Sequence, residues 1–244
     1  PMAGGEPLKN APVENCATLA FSFLTGAMDE GFYRNKLTGY TKTAFDSLQA
    51  KYVGRLMNHS ADSLFRHRIE LIPNCGHSID YSLTTPWLKN YKRNPYPHTF
   101  LWEDYPMDGQ RRQGFYNLYV MKRPKEADGL KDASGEDRDY YEMDIKDNVI
   151  RLSVRKVTYQ TVERDPVYGI DLKFTKSYHQ ASGGKWKIYL NDQLVDMNKP
   201  VTVFINDRKA FEGKLVPRME DMITSCMEYF DPCRVFPASV DVAL

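Results

Sequence analysis

Hydrophobic positions in the first ninety residues alternate between a strand-like and a helix-like period. Residues 15–29 contain an apolar run that ends at Gly26, as in a buried strand leading into a turn. Residues 35–52 carry a helical stripe with spacings of three or four, made of Leu37, Thr41, Ala44, Leu48 and Tyr52. A second strand is predicted over 64–73 and a second helix over 84–92. This order of elements predicts parallel strands joined by right-handed crossover helices.

The pattern changes after Pro95 and Pro97, where short alternating segments typical of β-strands begin. We therefore predict two domains, an α/β domain over 1–96 and an antiparallel, β-sandwich-like domain over 97–244 with one C-terminal helix. Residues 122–139 are rich in charge and glycine, which predicts an exposed loop or hinge. The apolar stripe of the C-terminal helix is predicted to face the core, and it consists of Met219, Met222, Ile223, Cys226, Met227 and Phe230.

Composition narrows the class of protein without identifying it. The chain is 42% hydrophobic and 27% charged, as in globular proteins, and no apolar run reaches the length of a membrane span. A net charge of +1, from 33 basic and 32 acidic residues, gives no electrostatic case for nucleic acid or anionic membrane as a partner. No signal-peptide pattern follows Pro1, so the compartment stays unassigned.

The four cysteines, Cys16, Cys75, Cys226 and Cys233, lack the CxxC spacing of a zinc site and are too few for a disulfide scaffold. A Cys226–Cys233 pair and free thiols are both open. We predict no metal and no cofactor. A metal site from Cys75, His77 and Asp80 is disfavoured because the spacing is irregular and no second histidine is close in sequence.

Two candidate catalytic residues follow the two predicted strands. Asp29 lies in the loop after the first strand, and His77 lies in the loop after the second. Because ligands of open α/β sheets bind beyond the carboxyl ends of the strands, these loops are the favoured site. An aspartate that accepts from one imidazole nitrogen leaves the other nitrogen to act as a base. The pattern therefore predicts the acid–base half of a catalytic triad.

A nucleophile for this pair is not evident in the sequence. No G-x-S-x-G motif is present, and Ser78 and Ser82 follow the histidine in positions that do not match a nucleophile elbow. Cys75, two residues from His77, is an alternative nucleophile that the pattern disfavours, because triads bring nucleophile and base together from different segments.

Several segments together resemble one family. "AFSFLTGAMDEGFYRN", "IELIPNCGHSIDY" and "TPWLKNYKRNPYP" are similar to the C-terminal half of an α/β-hydrolase of the secreted esterase and peptidase-like type. The segment "YLNDQLVDMNKPVTVFINDRKAFEGKL" resembles the β-rich appendage carried behind that domain. The resemblance implies Asp29 as the triad acid and His77 as the triad base.

The same resemblance implies that the nucleophile and the oxyanion-hole donors lie upstream of Pro1. The chain is then expected to be a fragment of a serine hydrolase, inactive alone, whose partner is the missing N-terminal half or a second copy of the chain. A secreted or periplasmic location and a carbohydrate-linked substrate are further expectations of this kind.

A non-catalytic module for carbohydrate binding or assembly is the alternative function. It depends on the aromatic residues of the β domain, several of which would have to be exposed on a sheet face. These residues are Trp102, Tyr105, Tyr116, Tyr119, Trp186 and Tyr189.

Overall fold

The computed structural model describes residues 7–52, 64–106, 109–126 and 137–244. β-strand predominates in these ranges and helices are few. The chain divides into two compact units, one made of residues 1–93 with 159–176 and the other of residues 94–158 with 177–244. The first unit thus includes a segment from within the range 97–244.

The first unit is built on two parallel strands, β1 (Phe21–Gly26) and β2 (His67–Ile72). The helix α1 (Arg34–Tyr52) follows β1 and packs on the pair, and the short helix α2 (Thr84–Leu88) follows β2. The Phe45 ring of α1 is fully buried and stacks on Phe21 of β1 with 4.9 Å between ring centroids. Parallel pairing with a helix between the strands is what the strand–helix–strand pattern predicts, although α2 ends four residues before the predicted limit of 92.

Polar residues on the buried side of α1 are satisfied locally. The hydroxyl of Thr41 donates to the Leu37 carbonyl at 3.0 Å, and the hydroxyl of Thr38 lies 2.8 Å from that of Thr25 in β1. Because buried hydroxyls are costly without partners, these bonds allow threonine at the contact between helix and sheet.

Strands dominate the second unit. In chain order they are β3 (Thr99–Asp104), β4 (Gly114–Phe115), β5 (Leu118–Lys122), β6 (Lys125–Glu126), β7 (Arg138–Lys146), β8 (Val149–Arg164), β9 (Asp171–Ser182), β10 (Lys185–Leu190), β11 (Val201–Ile205), β12 (Arg208–Gly213) and β13 (Ala238–Ala243). One sheet has the order β13-β10-β5-β4 and the other β12-β11-β8-β7-β3, while β9 pairs with β8 and β6. Residues 159–164 of β8 and residues 171–176 of β9 belong to the first unit.

The prediction of a wholly antiparallel β domain is wrong at one pairing. Strands β8 and β11 run in parallel, with Thr202 opposite Val149 and Ile205 opposite Leu152. The segment between β10 and β11 contains turns but no strand, and it returns the chain so that β11 enters the sheet in the direction of β8. A core of side chains from both sheets fills this unit, among them Phe100, Tyr141, Trp186, Ile188 and Val203.

Strand β7 lies between β3 and β8. Its first two residues, Arg138 and Asp139, fall in the predicted exposed loop, yet both are buried. Arg138 donates to Glu103 at 2.9 Å, and Lys156 donates to Asp139 at 2.5 Å. Charge neutralisation by neighbouring strands therefore accounts for the error at this end of 122–139. Residues 127–136 of the predicted loop lie outside the described residues.

The helix α3 (Met219–Tyr229) buries the face opposite to the one that was predicted to face the core. The stripe expected in the core is exposed, with Met219, Met227 and Phe230 at 71%, 65% and 89%. The buried residues of α3 are Asp221 and Ser225. The Ser225 hydroxyl donates to the Asp221 carbonyl at 2.7 Å and accepts from the Phe236 amide at 3.0 Å, so hydrogen bonds select the buried face.

All four cysteines are free, which resolves the alternatives for Cys226 and Cys233 in favour of thiols. Across the described ranges, the helices lack the combination of length and apolarity that crossing a membrane requires.

Candidate functional site

The loops after β1 and β2 are joined by backbone hydrogen bonds. The amide of Ala27 donates to the Ile72 carbonyl and that of Met28 to the Cys75 carbonyl, both at 2.9 Å. The amide of Asp29 turns back to the Gly26 carbonyl at 3.0 Å. Because the strands are parallel and in register, both loops leave the same edge of the pair and hold each other in place.

Gly26 is required where the two loops meet. A Cβ atom at this position would lie 2.0 Å from the Gly76 carbonyl oxygen and 2.3 Å from that of Cys75. Both obstacles are backbone atoms, which cannot rotate away as a side chain can. The absence of a side chain at Gly26 therefore allows the second loop to approach the first.

The two predicted catalytic residues are in direct contact. His77 Nδ1 lies 2.9 Å from Asp29 Oδ2. The Asp29 side chain is 5% exposed, whereas that of His77 is 65% exposed. A carboxylate can only accept a hydrogen bond, so Nδ1 carries the proton and the unprotonated nitrogen of the neutral ring is Nε2.

Arg34, which the sequence reading did not single out, holds the other oxygen of Asp29. Its Nη1 atom donates to Asp29 Oδ1 at 3.1 Å. Burial alone would raise the pKa of Asp29, but hydrogen bonds from His77 and Arg34, with the nearby charge of Arg34, outweigh burial and lower that pKa below its ordinary value. Asp29 is therefore held as a carboxylate.

The start of α1 fixes the Asp29 loop. The side-chain amide of Asn35 donates to the Ala27 carbonyl at 3.0 Å, and its backbone amide donates to the Asp29 carbonyl at 3.1 Å. The sequence contains a weak signal for this arrangement, since asparagine near a helix start commonly bonds to the backbone.

A second histidine in the same unit provides a contrast. His67 Nε2 lies 3.0 Å from Asp46 Oδ1, and His67 Nδ1 lies 2.7 Å from the Phe65 carbonyl oxygen. Both nitrogens of His67 face acceptors, and its side chain is only 9% exposed. In the part of the chain that the structure describes, Nε2 of His77 has no hydrogen-bond partner. Of these two histidines, His77 is the one with the arrangement that a general base needs.

Within the described ranges, nearby hydroxyl and thiol groups do not complete a triad, because none of them makes a hydrogen bond to His77. Ser82 donates to Asp80 Oδ2 at 2.8 Å and is thereby engaged, and Ser78 is exposed. Cys75 contributes its backbone carbonyl to the Met28 amide, and its half-buried thiol makes no hydrogen bond within the described ranges. The two alternatives that used Cys75, a thiol nucleophile and a metal site with Asp80, gain no support from these contacts. Groups of three or more metal-binding side chains are also absent from the described residues.

The turn between β8 and β9 meets the Asp29 loop within the first unit. The Tyr33 hydroxyl donates to Asp165 Oδ1 at 2.7 Å, and the Phe32 ring lies 4.9 Å from that of Tyr168. Sequence reasoning missed these contacts because the partners are more than 130 residues apart. No local pattern reports such a pairing.

The aromatic residues proposed as a sugar platform on the β domain are mostly in the core. Trp102, Tyr116, Trp186 and Tyr189 are buried, and only Tyr105 and Tyr119 are partly accessible. The buried rings pack against other aromatic residues of the core, as Trp102 does on Tyr141. This face therefore offers no row of exposed rings among the named residues.

Comparison of the chain with protein-family models, with curated proteins and with solved structures gave no match.

Proposed function

We propose that Asp29 and His77 are the acid and the base of a serine hydrolase triad whose nucleophile is contributed from outside residues 1–244. The observation that carries this proposal is the 2.9 Å contact between His77 Nδ1 and a buried, ionised Asp29. The proposed parent is an α/β-hydrolase of the esterase or peptidase-like type, and β1, α1 and β2 would form the end of its parallel sheet.

The geometry suits acyl transfer. The nucleophile's oxygen attacks the acyl carbon while its proton passes to His77 Nε2, and the carbonyl electrons move onto the carbonyl oxygen. Collapse of the resulting tetrahedral intermediate expels the leaving alcohol or amine, which takes the proton from Nε2. A water molecule then attacks the acyl-enzyme in the same way, with His77 as base and then as acid, and the carboxylic acid is released. Asp29 keeps the ring oriented and stabilises the imidazolium that forms in each half-reaction.

Exposure of the two residues supports these different roles. A base must reach the substrate, and His77 is largely exposed, whereas an orienting carboxylate works best shielded from water, and Asp29 is buried. The pair neither requires nor suggests a cofactor. By itself it provides no nucleophile, so we expect residues 1–244 alone to be inactive.

The test is kinetic and uses the complete polypeptide encoded in frame with this sequence. We expect it to hydrolyse p-nitrophenyl acetate or a peptide p-nitroanilide, and we expect His77→Ala and Asp29→Asn each to lower kcat/KM by about 10⁴-fold. His67→Gln is the matched control, because it alters the other histidine–aspartate pair of the same unit. It should lower stability while leaving kcat/KM per folded molecule within about threefold. Equal losses in the His77 and His67 variants would contradict the proposal.

A further inference from the structure

A polar cleft of about 450 Å³ lies in the first unit beside the Asp29 loop. Its wall includes the rings of Phe32 and Phe174 and the polar side chains of Lys9, Asn10 and Asp171. We call it the Phe32 cleft. Phe32 is three residues from Asp29, so the cleft and the Asp29–His77 pair share one short loop. Its volume is within the usual range for small-ligand sites.

The backbone of Phe32 has an unfavourable conformation at this wall of the cleft. Its φ of 52° is in the left-handed region, and Tyr33 beside it has a φ of 58°. Both conformations cost free energy for bulky residues. Phe32 is also 51% exposed, and Tyr168, whose ring packs against that of Phe32, is 58% exposed. Strain and apolar exposure together are more typical of a binding site than of a structural turn.

Specific contacts maintain this arrangement. Asp165, which is buried, accepts from the Tyr33 hydroxyl at 2.7 Å and also from the Tyr168 amide. The guanidinium of Arg34 lies 5.1 Å from the Phe32 ring centroid. The rings are thus fixed on two sides before any ligand arrives, which reduces the entropy cost of binding.

Asp171 has unused hydrogen-bonding capacity. Its carboxylate accepts no hydrogen bond from the described residues, and Oδ1 is buried without a partner. Nη1 of Arg164 lies 3.6 Å from Oδ1, so the two residues form an ion pair without a hydrogen bond, and the Asp171 side chain is 29% exposed. A ligand that donates hydrogen bonds would satisfy this carboxylate.

We propose that the Phe32 cleft binds a neutral sugar residue of a carbohydrate. Ring carbons of a sugar present C–H groups to the Phe32 and Phe174 rings, while the hydroxyls donate to Asp171. Arg164 balances the charge of Asp171, which favours an uncharged ligand. Together with the function proposed above, on which this last step rests, the cleft identifies the substrate class as an acyl group carried on carbohydrate.

Binding of named tetrasaccharides tests the proposal. The 244-residue chain is titrated by calorimetry with xylotetraose, cellotetraose and mannotetraose, and with tetra-alanine and adenosine as probes of other chemistry. We expect at least one tetrasaccharide to bind, and we expect Phe32→Leu and Asp171→Asn each to weaken that binding by about tenfold.

Phe230→Leu is the matched control, because Phe230 is also exposed, also has a positive φ of 47°, and lies outside the cleft. The affinity of Phe230→Leu for the tetrasaccharide should stay within about twofold of that of the unmodified chain. Thermal melts verify that all three variants fold. The proposal is overturned if no tetrasaccharide binds at millimolar concentration, if tetra-alanine or adenosine binds more tightly, or if neither cleft variant weakens binding.

These outcomes are separable from failure of the proposed function, because binding is measured without turnover. Sugar binding with an inactive parent would leave the cleft proposal intact and remove the hydrolase. An active parent with a cleft that binds no sugar would leave the proposed hydrolase function intact and remove the cleft proposal.

Discussion

His77 Nδ1 lies 2.9 Å from Asp29 Oδ2, although the two side chains differ widely in exposure. One end of the imidazole is bound to a buried carboxylate that Arg34 also contacts, and the other end is open. This asymmetry distinguishes His77 from His67, whose two nitrogens both face acceptors.

The contact predicts the tautomer of His77. At pH 8 we expect long-range ¹H–¹⁵N correlations to show the proton on Nδ1. In Asp29→Asn, Arg34 should still donate to the amide oxygen, so the amide NH₂ faces the ring and the proton moves to Nε2. The signals of His67 in the same spectra are the internal control and should not change. An Nε2–H tautomer in the unmodified chain would contradict the described contact.

The lowered pKa of Asp29 predicts how its contribution to stability depends on pH. The pKa of aspartate in an unfolded chain is about 3.9. Because the folded pKa is lower, the contribution is fully present above the unfolded value and is lost as pH falls through the folded value. Urea unfolding should show Asp29→Asn less stable by about 1–3 kcal/mol at pH 7, and the difference should shrink below about pH 4.

Asp207→Asn is the control for the exchange of aspartate for asparagine, because Asp207 is 97% exposed and lies in a turn that asparagine also tolerates. It should change the free energy of unfolding at pH 7 by no more than about 0.5 kcal/mol. A stability difference for Asp29→Asn that widens on acidification would mean that the pKa of Asp29 is raised instead.

Gly26 and Gly39 make a matched pair for the approach of the two loops. Gly26→Ala places a methyl group against two carbonyl oxygens and should cost about 1–3 kcal/mol while separating His77 from Asp29. Gly39→Ala, within α1 and with no atom within 4 Å of the new Cβ, should instead stabilise the protein by about 0.5–1 kcal/mol. Thermal melts measure both changes, and a neutral Gly26→Ala would show that the loops do not need this approach.

The orientation of α3 predicts an unusual pattern of mutational sensitivity. Ser225→Ala leaves the buried Phe236 amide without its acceptor and should cost about 1–3 kcal/mol. Met227→Gln, on the exposed apolar stripe, should change the free energy of unfolding by no more than about 0.5 kcal/mol. The reverse order of effects would restore the sequence-based prediction that the stripe is core.

Local signals were sufficient for the part of the fold that positions the site. The apolar runs of β1 and β2, the helical stripe of α1 and the turn at Gly26 are all short-range features, and parallel pairing follows from their order. Asp29 and His77 could be placed together because each follows a strand end on the same edge of the pair.

The errors arose where distant residues decide the outcome. The start of β7 looks like a loop because the residues that neutralise its charges, Glu103 and Lys156, lie 35 and 17 residues away in sequence. The stripe of α3 looks like core because the hydrogen bond that selects the buried face joins Ser225 to Phe236, 11 residues further on. The contact of Tyr33 with Asp165 belongs to the same class. Charge pairing and buried hydrogen bonds across long separations leave no periodic trace in a sequence.

Covalent labelling of the nucleophile tests the central claim most directly. The complete polypeptide encoded in frame with this sequence is treated with a fluorophosphonate, and the modified residue is identified by mass spectrometry. We predict a labelled serine outside residues 1–244, labelling that is lost in His77→Ala and kept in His67→Gln, and no label on residues 1–244 alone. Labelling that persists unchanged in His77→Ala, or that falls on a serine within residues 1–244, would contradict the account.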